Sequence, residues 1–192
     1  MSARHLRVLL AMLFAALLIA SVPGSAYAQG SSLFLRITGI NALEKCGLST
    51  TFGHVGEIIL RGVDANIFRP TDPITGLPVA TSVDGRTLKV VKDPDPCSPM
   101  LFLTMLQDRS LQEINIFFVR MGTSLEVATI RASDVEVVGI DLASNAGSAP
   151  SEVVTLALLG QLQLTVLRIN EETGQSLGST TACWSFAANK RC

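Results

Sequence analysis

Histidine is scarce in this chain: there are two in 192 residues, His5 and His54, alongside one tryptophan and one tyrosine. No Cys-x-x-Cys, His-x-x-x-His or Asp-x-Asp-x-Asp-Gly pattern occurs, so the ligand spacings of common zinc and calcium sites are missing. Glycine loops that cradle phosphate are missing too. Charged residues make up only 16% of the chain, 15 basic and 16 acidic, with the basic ones scattered. That excludes the basic stripe of a nucleic-acid binder. No metal, cofactor or nucleic acid is therefore expected. No apolar run reaches the ~18–20 residues that a membrane-spanning helix needs.

What is present begins with Arg4 and Arg7, followed by the apolar stretch VLLAMLFAALLIA from Val8 to Ala20. Pro23 and Gly24 then lead into Ala26-Tyr27-Ala28. A basic start, a short apolar run and a small-residue exit predict a secretory signal over residues 1–28, cut after Ala28. No Leu-x-x-Cys stands beside that exit, so no lipid anchor is expected. The product would be exported, periplasmic or secreted, with no membrane segment left after cleavage. It would form a single domain over residues 29–192, long enough to bury a sizeable core. Losing Arg4 and Arg7 leaves 13 basic against 16 acidic residues, a formal charge of −3. The hydrophobic fraction of 48% hints at surface that neighbouring subunits cover.

All four cysteines, Cys46, Cys97, Cys183 and Cys192, follow the predicted cut. In an oxidising compartment they are expected to pair. Four cysteines permit three connectivities, and the sequence does not choose among them. The favoured pairing is Cys183 with Cys192, pinning the C-terminal tail, and Cys46 with Cys97.

Alternation of apolar and polar residues predicts strands along most of the remaining chain. LFLRITGI (33–40), GEIILRGV (56–63) and RTLKVV (86–91) are the first three, with Leu88 and Val90 on one face and Lys89 on the other. Pro70, Pro73, Gly76 and Pro78 mark a long loop between the second and third. INIFFV (114–119) and LEVATI (125–130) read as a hairpin turning at Gly122, and DVEVVGID as a separate strand. ASNAGSAPS (143–151) reads as a surface loop. EVVTLALLGQLQLTVLRI predicts two strands with Gly160 as a bulge or turn between them. NEETGQSLGS is a turn, with Glu171-Glu172 a solvated part of it, and TACWSF the last strand. Trp184 is expected in the core beside its neighbouring disulfide. Many short strands and at most one helix imply a β-barrel or sandwich.

The densest local signal is KDPDPCSPML at 92–101. Read as structure, it is a helix entrance: Ser98 caps, Pro99 takes the first helical position, and Asp93 and Asp95 favour the N-terminal dipole. Read as chemistry, Cys97 would be a nucleophile, and its only available imidazole after the predicted cut is His54. A serine triad would also need His54, and no G-x-S-x-G nucleophile elbow is expected to supply its serine.

The order of these segments resembles the Hcp family, the tube protein of bacterial type VI secretion. Lys92, Asp95, Ser98, Pro99 and Leu101 match its Lys-x-x-Asp-x-x-Ser/Thr-Pro-x-Leu helix announcement, and Glu152, Val154, Thr155 and Leu156 match its Glu-x-Val-Thr-Leu strand. Gly56-Glu57 matches the start of a strand and Trp184 the closing one. The resemblance implies a mainly β fold, a two-sheet β-barrel with one short helix. It also implies a non-catalytic subunit that forms hexameric rings, stacks into a tube, and meets secretion-system components and effectors. The signal, the cysteines and Gly160 stand outside the family pattern. The alternative is a secreted, monomeric β-sandwich serving as a binding or adhesion module.

Overall fold

The computed structural model describes residues 31–68, 75, 84–144, 146–147, 149–170 and 173–192. The predicted signal and its cut, the loop prolines from Pro70 to Pro78, and the Glu171-Glu172 pair lie outside those residues. Along the chain the elements are β1 (Ser31–Thr38), β2 (Ile58–Phe68), β3 (Asp84–Lys92), α1 (Ser98–Leu106), β4 (Leu111–Arg120) and β5 (Glu126–Ala143). They continue as β6 (Ser151–Leu158), β7 (Gln161–Ile169), β8 (Ser176–Ser185) and the two-residue β9 (Lys190–Arg191).

Strand order is β4-β1-β2-β3-β6-β5, and β4 pairs again with β5, which closes the sheet into a barrel. Strands β7, β8 and β9 extend outward from β5. Closure disposes of exposed sheet edges. Inward rows follow the period of two: Leu35 and Ile37, Leu88 and Val90, Ile114 and Ile116, then Val154, Leu156 and Leu158. Each such side chain, fully buried, contributes roughly 1.5–3 kcal/mol of transfer free energy. The predicted alternation, with Lys89 facing away from Leu88 and Val90, holds.

Two predicted strands prove to be one. LEVATI and DVEVVGID belong to the single strand β5, which bends at Asp134, a residue in the left-handed region with φ 51°. Its first half pairs with β4 on one edge and β7 on the other, and its second half pairs with β6. The bend lets one strand belong to both walls. Strands β6 and β7 follow the same bend, with the Leu159 N–H donating to the Asp134 carbonyl at 2.9 Å and the Gly160 N–H to the Ser133 carbonyl at 3.2 Å. A Cβ at Gly160 would lie 2.6 Å from the Ser133 hydroxyl and 2.7 Å from its carbonyl, so this corner admits only glycine. Gly160 is thus the connection expected between two strands, running alongside β5.

The hairpin at Gly122 (φ 76°) forms as predicted. At the C-terminus, Ser176–Ser179 join β8 rather than the preceding turn, and β9 returns against Trp184 and Ser185, an element the sequence reading did not contain. Both disulfides match the favoured pairing, Cys46–Cys97 and Cys183–Cys192.

Candidate functional site

Inward alternation ends, on two neighbouring strands, with a charge. Lys92 follows Leu88 and Val90 on the inner row of β3, and Glu152 precedes Val154 and Leu156 on that of β6; the two are register partners. Both are buried, at 0% and 1% exposure. The Lys92 ammonium donates to the Asp95 carboxylate at 2.8 Å, the Ser98 hydroxyl at 2.8 Å and the Asp93 carbonyl at 2.9 Å, and lies 3.3 Å from Glu152 Oε2. Ser98 Oγ donates in turn to Glu152 Oε2. Glu152 Oε1 has no protein partner among the described residues.

The turn before α1 delivers the other half of this site. Asp95 accepts the Cys97 N–H at 2.9 Å, and the Ser98 hydroxyl accepts the Asp95 N–H at 3.1 Å, folding 93–98 tightly around the lysine. This corrects the expected capping. Cys97, not Ser98, holds the N-cap, without a side-chain cap bond; Ser98 is already helical, and its hydroxyl is committed to the buried cluster. Asp93 instead pairs with Arg61 at the surface.

The two matched motifs, 54 residues apart at Ser98 and Glu152, therefore meet in one place. Lys92, Asp95, Ser98 and Glu152 form the polar cluster. Leu101, Val154 and Leu156 pack in the core beside it, and Pro99 stands in the first turn of α1. Thr155 points to the opposite face, opposite Lys89 and Gly139. A lone buried ammonium or carboxylate would cost several kcal/mol in desolvation. Here each offsets the other. The cluster ties β3, α1 and β6 together like a clasp.

Ser98 beside Lys92 has the outline of a nucleophile and a base, but its hydroxyl is committed to the buried Glu152 carboxylate. Two cavities lie elsewhere. One of about 430 Å³ is lined by Phe34, Phe52, Val119 and Thr123 among others, and a polar one of about 150 Å³ by Glu113, Arg131, Ser133, Gln161 and Gln163. Beside the smaller, burial works against ionisation of Glu113, but hydrogen bonds from Asn115 and Arg131, with the charge of Arg131, outweigh it and hold the carboxyl below its usual range.

The candidate nucleophile Cys97 is bonded to Cys46, and His54 is engaged elsewhere, so the proposed dyad does not form. His54, at 2% exposure, is stacked on Phe34 at 4.6 Å between centroids and tilted against Phe117 at 5.0 Å. Its Nδ1 lies 2.9 Å from Glu57, which also accepts from Arg36 at 2.8 Å. The sequence reading placed Glu57 only at the start of a strand and missed this second cluster. The signal was a glutamate at an inward position flanked by Ile58 and a lone histidine three residues before it. One serine also needs correcting: Gly174-Gln175-Ser176-Leu177-Gly178 does carry the G-x-S-x-G spacing. Ser176 opens strand β8 in an exposed position, without the strand-to-helix turn of an elbow.

Residues 34–166 match a family model described as "Type VI secretion system effector, Hcp". No curated protein matches the chain. A solved structure described as a type six secretion system protein aligns with a TM-score of 0.73 at 16% identity, covering 85% of this chain and 100% of its own. Hcp1 from Salmonella typhimurium aligns at 0.68 and 21% identity, over 85% and 99%. A type VI secretion system effector from Yersinia pestis aligns at 0.61 and 18%, over 80% and 98%. These structures share the fold, a barrel of strands with one helix.

Proposed function

The chain belongs to the Hcp family of type VI secretion, and from that membership we propose that it is a ring-forming tube subunit and effector carrier, exported through residues 1–28. The observation that carries the reading is the family match over residues 34–166, spanning both the Lys92 turn and the Glu152 strand that close the buried clasp. A clasp of this kind fixes the barrel's shape, and its polar groups are spent on one another, which suits a structural subunit.

Exposed apolar side chains, Phe52 at 84% exposure and Leu48, Val55, Leu106, Met121 and Leu142 with it, give other protein something to cover. Among the described residues no helix is long and apolar enough to cross a membrane.

Light scattering on the purified protein tests the reading. A hexamer-sized particle at micromolar concentration is the expected result. A strict monomer would discard ring formation and favour the secreted binding module instead. N-terminal sequencing of the product from an exporting host tests the leader: Gln29 should be the first residue, and an intact Met1 would overturn the export reading.

A further inference from the structure

Strand β8 has one covered edge and one nearly bare one. Along its inner edge it pairs with β7, whereas on its outer side, among the described residues, only β9 pairs with it, at Trp184 and Ser185. The chain just before β9 is firmly held. Phe186, at 4% exposure, joins the core, donates its N–H to the Gly160 carbonyl at 2.8 Å, and lies under the Arg86 guanidinium at 5.4 Å from the ring centroid. Beyond Phe186 the hold weakens. From Ala187 to Cys192 every residue is exposed except the half-buried Asn189, so burial contributes little to fixing this segment. Two ladder pairs and a long hydrogen bond, from the Cys192 N–H to the Cys183 carbonyl at 3.4 Å, do not recover the conformational free energy of ordering it. The Cys183–Cys192 bridge, which joins residues 9 apart, supplies the rest by fixing the far end. The Cys46–Cys97 bridge differs in consequence rather than in access. Cys46 is half-buried and open to exchange, but its chain is held by the Gly47 N–H on the Gly56 carbonyl at 3.0 Å, and that of Cys97 by Asp95 and α1. Opening that bond frees no tail.

We propose that residues 187–192 form a redox latch, closed on the end of β8 by Cys183–Cys192 and released about Phe186 when low-molecular-weight thiols reduce that bond. A small thiolate attacks the sulfur of the exposed Cys192, the S–S bond breaks, and Cys183 leaves as a thiolate that takes up a proton. A second small thiol then attacks the first in the mixed disulfide. Cys192 leaves as a thiol, the two small thiols depart as their own disulfide, and two electrons and two protons have passed to the protein. Release uncovers Trp184 and Ser185, so that β8 is unpaired on its outer side from Ser176 to Ser185. A bare edge is the part of a sheet with which other chains pair. The latch shortens that edge where disulfides persist and lengthens it where small thiols keep cysteines reduced. It does not depend on rings forming.

The full chain, purified in its oxidised form, is compared with the Cys183→Ser/Cys192→Ser variant, which keeps the Cys46–Cys97 bridge. Hydrogen exchange read by mass spectrometry should show the amides of residues 187–192 exchanging at least about tenfold faster in the variant, with β1 to β7 unchanged. Trp184 is the only tryptophan, and its indole nitrogen is shielded from solvent in the closed form. Acrylamide should quench its fluorescence at least about twofold more strongly in the variant, as release exposes the ring. Unchanged exchange over residues 187–192 overturns the inference, because the tail then holds without the bridge. A rise that spreads through β7 overturns it as well, because the bridge then supports the whole flap. The parent protein in a titration with reduced and oxidised glutathione makes the same test without a variant. Alkylation and mass spectrometry count reduced Cys183 and Cys192, and Trp184 quenching should rise with that fraction and fall back on reoxidation. Flat quenching while the bond opens refutes the latch. Neither readout depends on particle size, so the latch and the ring reading fail separately.

Discussion

Removing the ammonium from the clasp is the sharpest perturbation the fold offers. Lys92→Met keeps an unbranched side chain of similar length at a fully buried position, so overpacking and cavity costs stay small. What it leaves is two carboxylates, Asp95 and Glu152, facing each other across the Ser98 hydroxyl with no cation between them. Breaking a buried ion pair by deleting one partner costs about 3–5 kcal/mol. For a domain of this size each kcal/mol moves the melting temperature by roughly 2–4 °C, so the transition should fall by about 6–20 °C. Glu152→Gln is the matched control. It preserves shape and leaves one ammonium against one carboxylate, and it should cost only about 1 kcal/mol, the scale of one altered hydrogen bond. The double variant should be more stable than the sum of the two single losses predicts, because the excess negative charge is halved. The assay is thermal and urea unfolding followed by circular dichroism at pH 7 in the oxidised protein. A Lys92→Met loss below about 1 kcal/mol, or a Glu152→Gln loss equal to it, would show that the ammonium does not hold the carboxylates in the barrel.

Two other expectations concern the corner where β5 bends. Gly160→Ala pushes a methyl against the Ser133 carbonyl and hydroxyl, and should destabilise by roughly 1–3 kcal/mol in the same unfolding assay; a neutral result would mean that the corner opens freely. Glu113 has its carboxyl held below the usual range, so it adds stability that is present above the unfolded carboxylate pKa of about 4.3 and is lost as pH falls through the lower folded value. Glu113→Gln should therefore flatten the acid limb of a stability-versus-pH curve below about pH 4.3, while costing under about 1 kcal/mol at pH 7, since its Arg131 partner is largely exposed. An acid limb as steep in the variant as in the parent would assign that limb to other carboxylates.

Most strands were legible because burial on one face of a sheet imposes a period of two, which Leu88, Val90, Val154 and Leu156 display directly. The one clear error of division, β5, came from a strand whose two halves face different partners. RASD at 131–134 interrupts the apolar pattern, and only pairing with β4, β6 and β7 shows that the chain continues through it. The capping error has a similar origin. A serine before a proline is a good cap in isolation, but at Ser98 a buried carboxylate competes for the hydroxyl and wins it.

The sequence by itself determined the β-rich class, the single helix after the Asp-Pro turn, the absence of common metal-ligand spacings, and the motif order that placed the chain near a known family. These depend on local periodicity and turn chemistry, which short stretches of chain carry. Tertiary structure alone decided that Lys92, Asp95, Ser98 and Glu152 share one site, that Cys46 reaches Cys97, and that His54 serves a different face from Cys97. Contacts across tens of residues follow from strand register and barrel closure, and a one-residue slip in register would turn Lys92 or Glu152 to the other face of its strand.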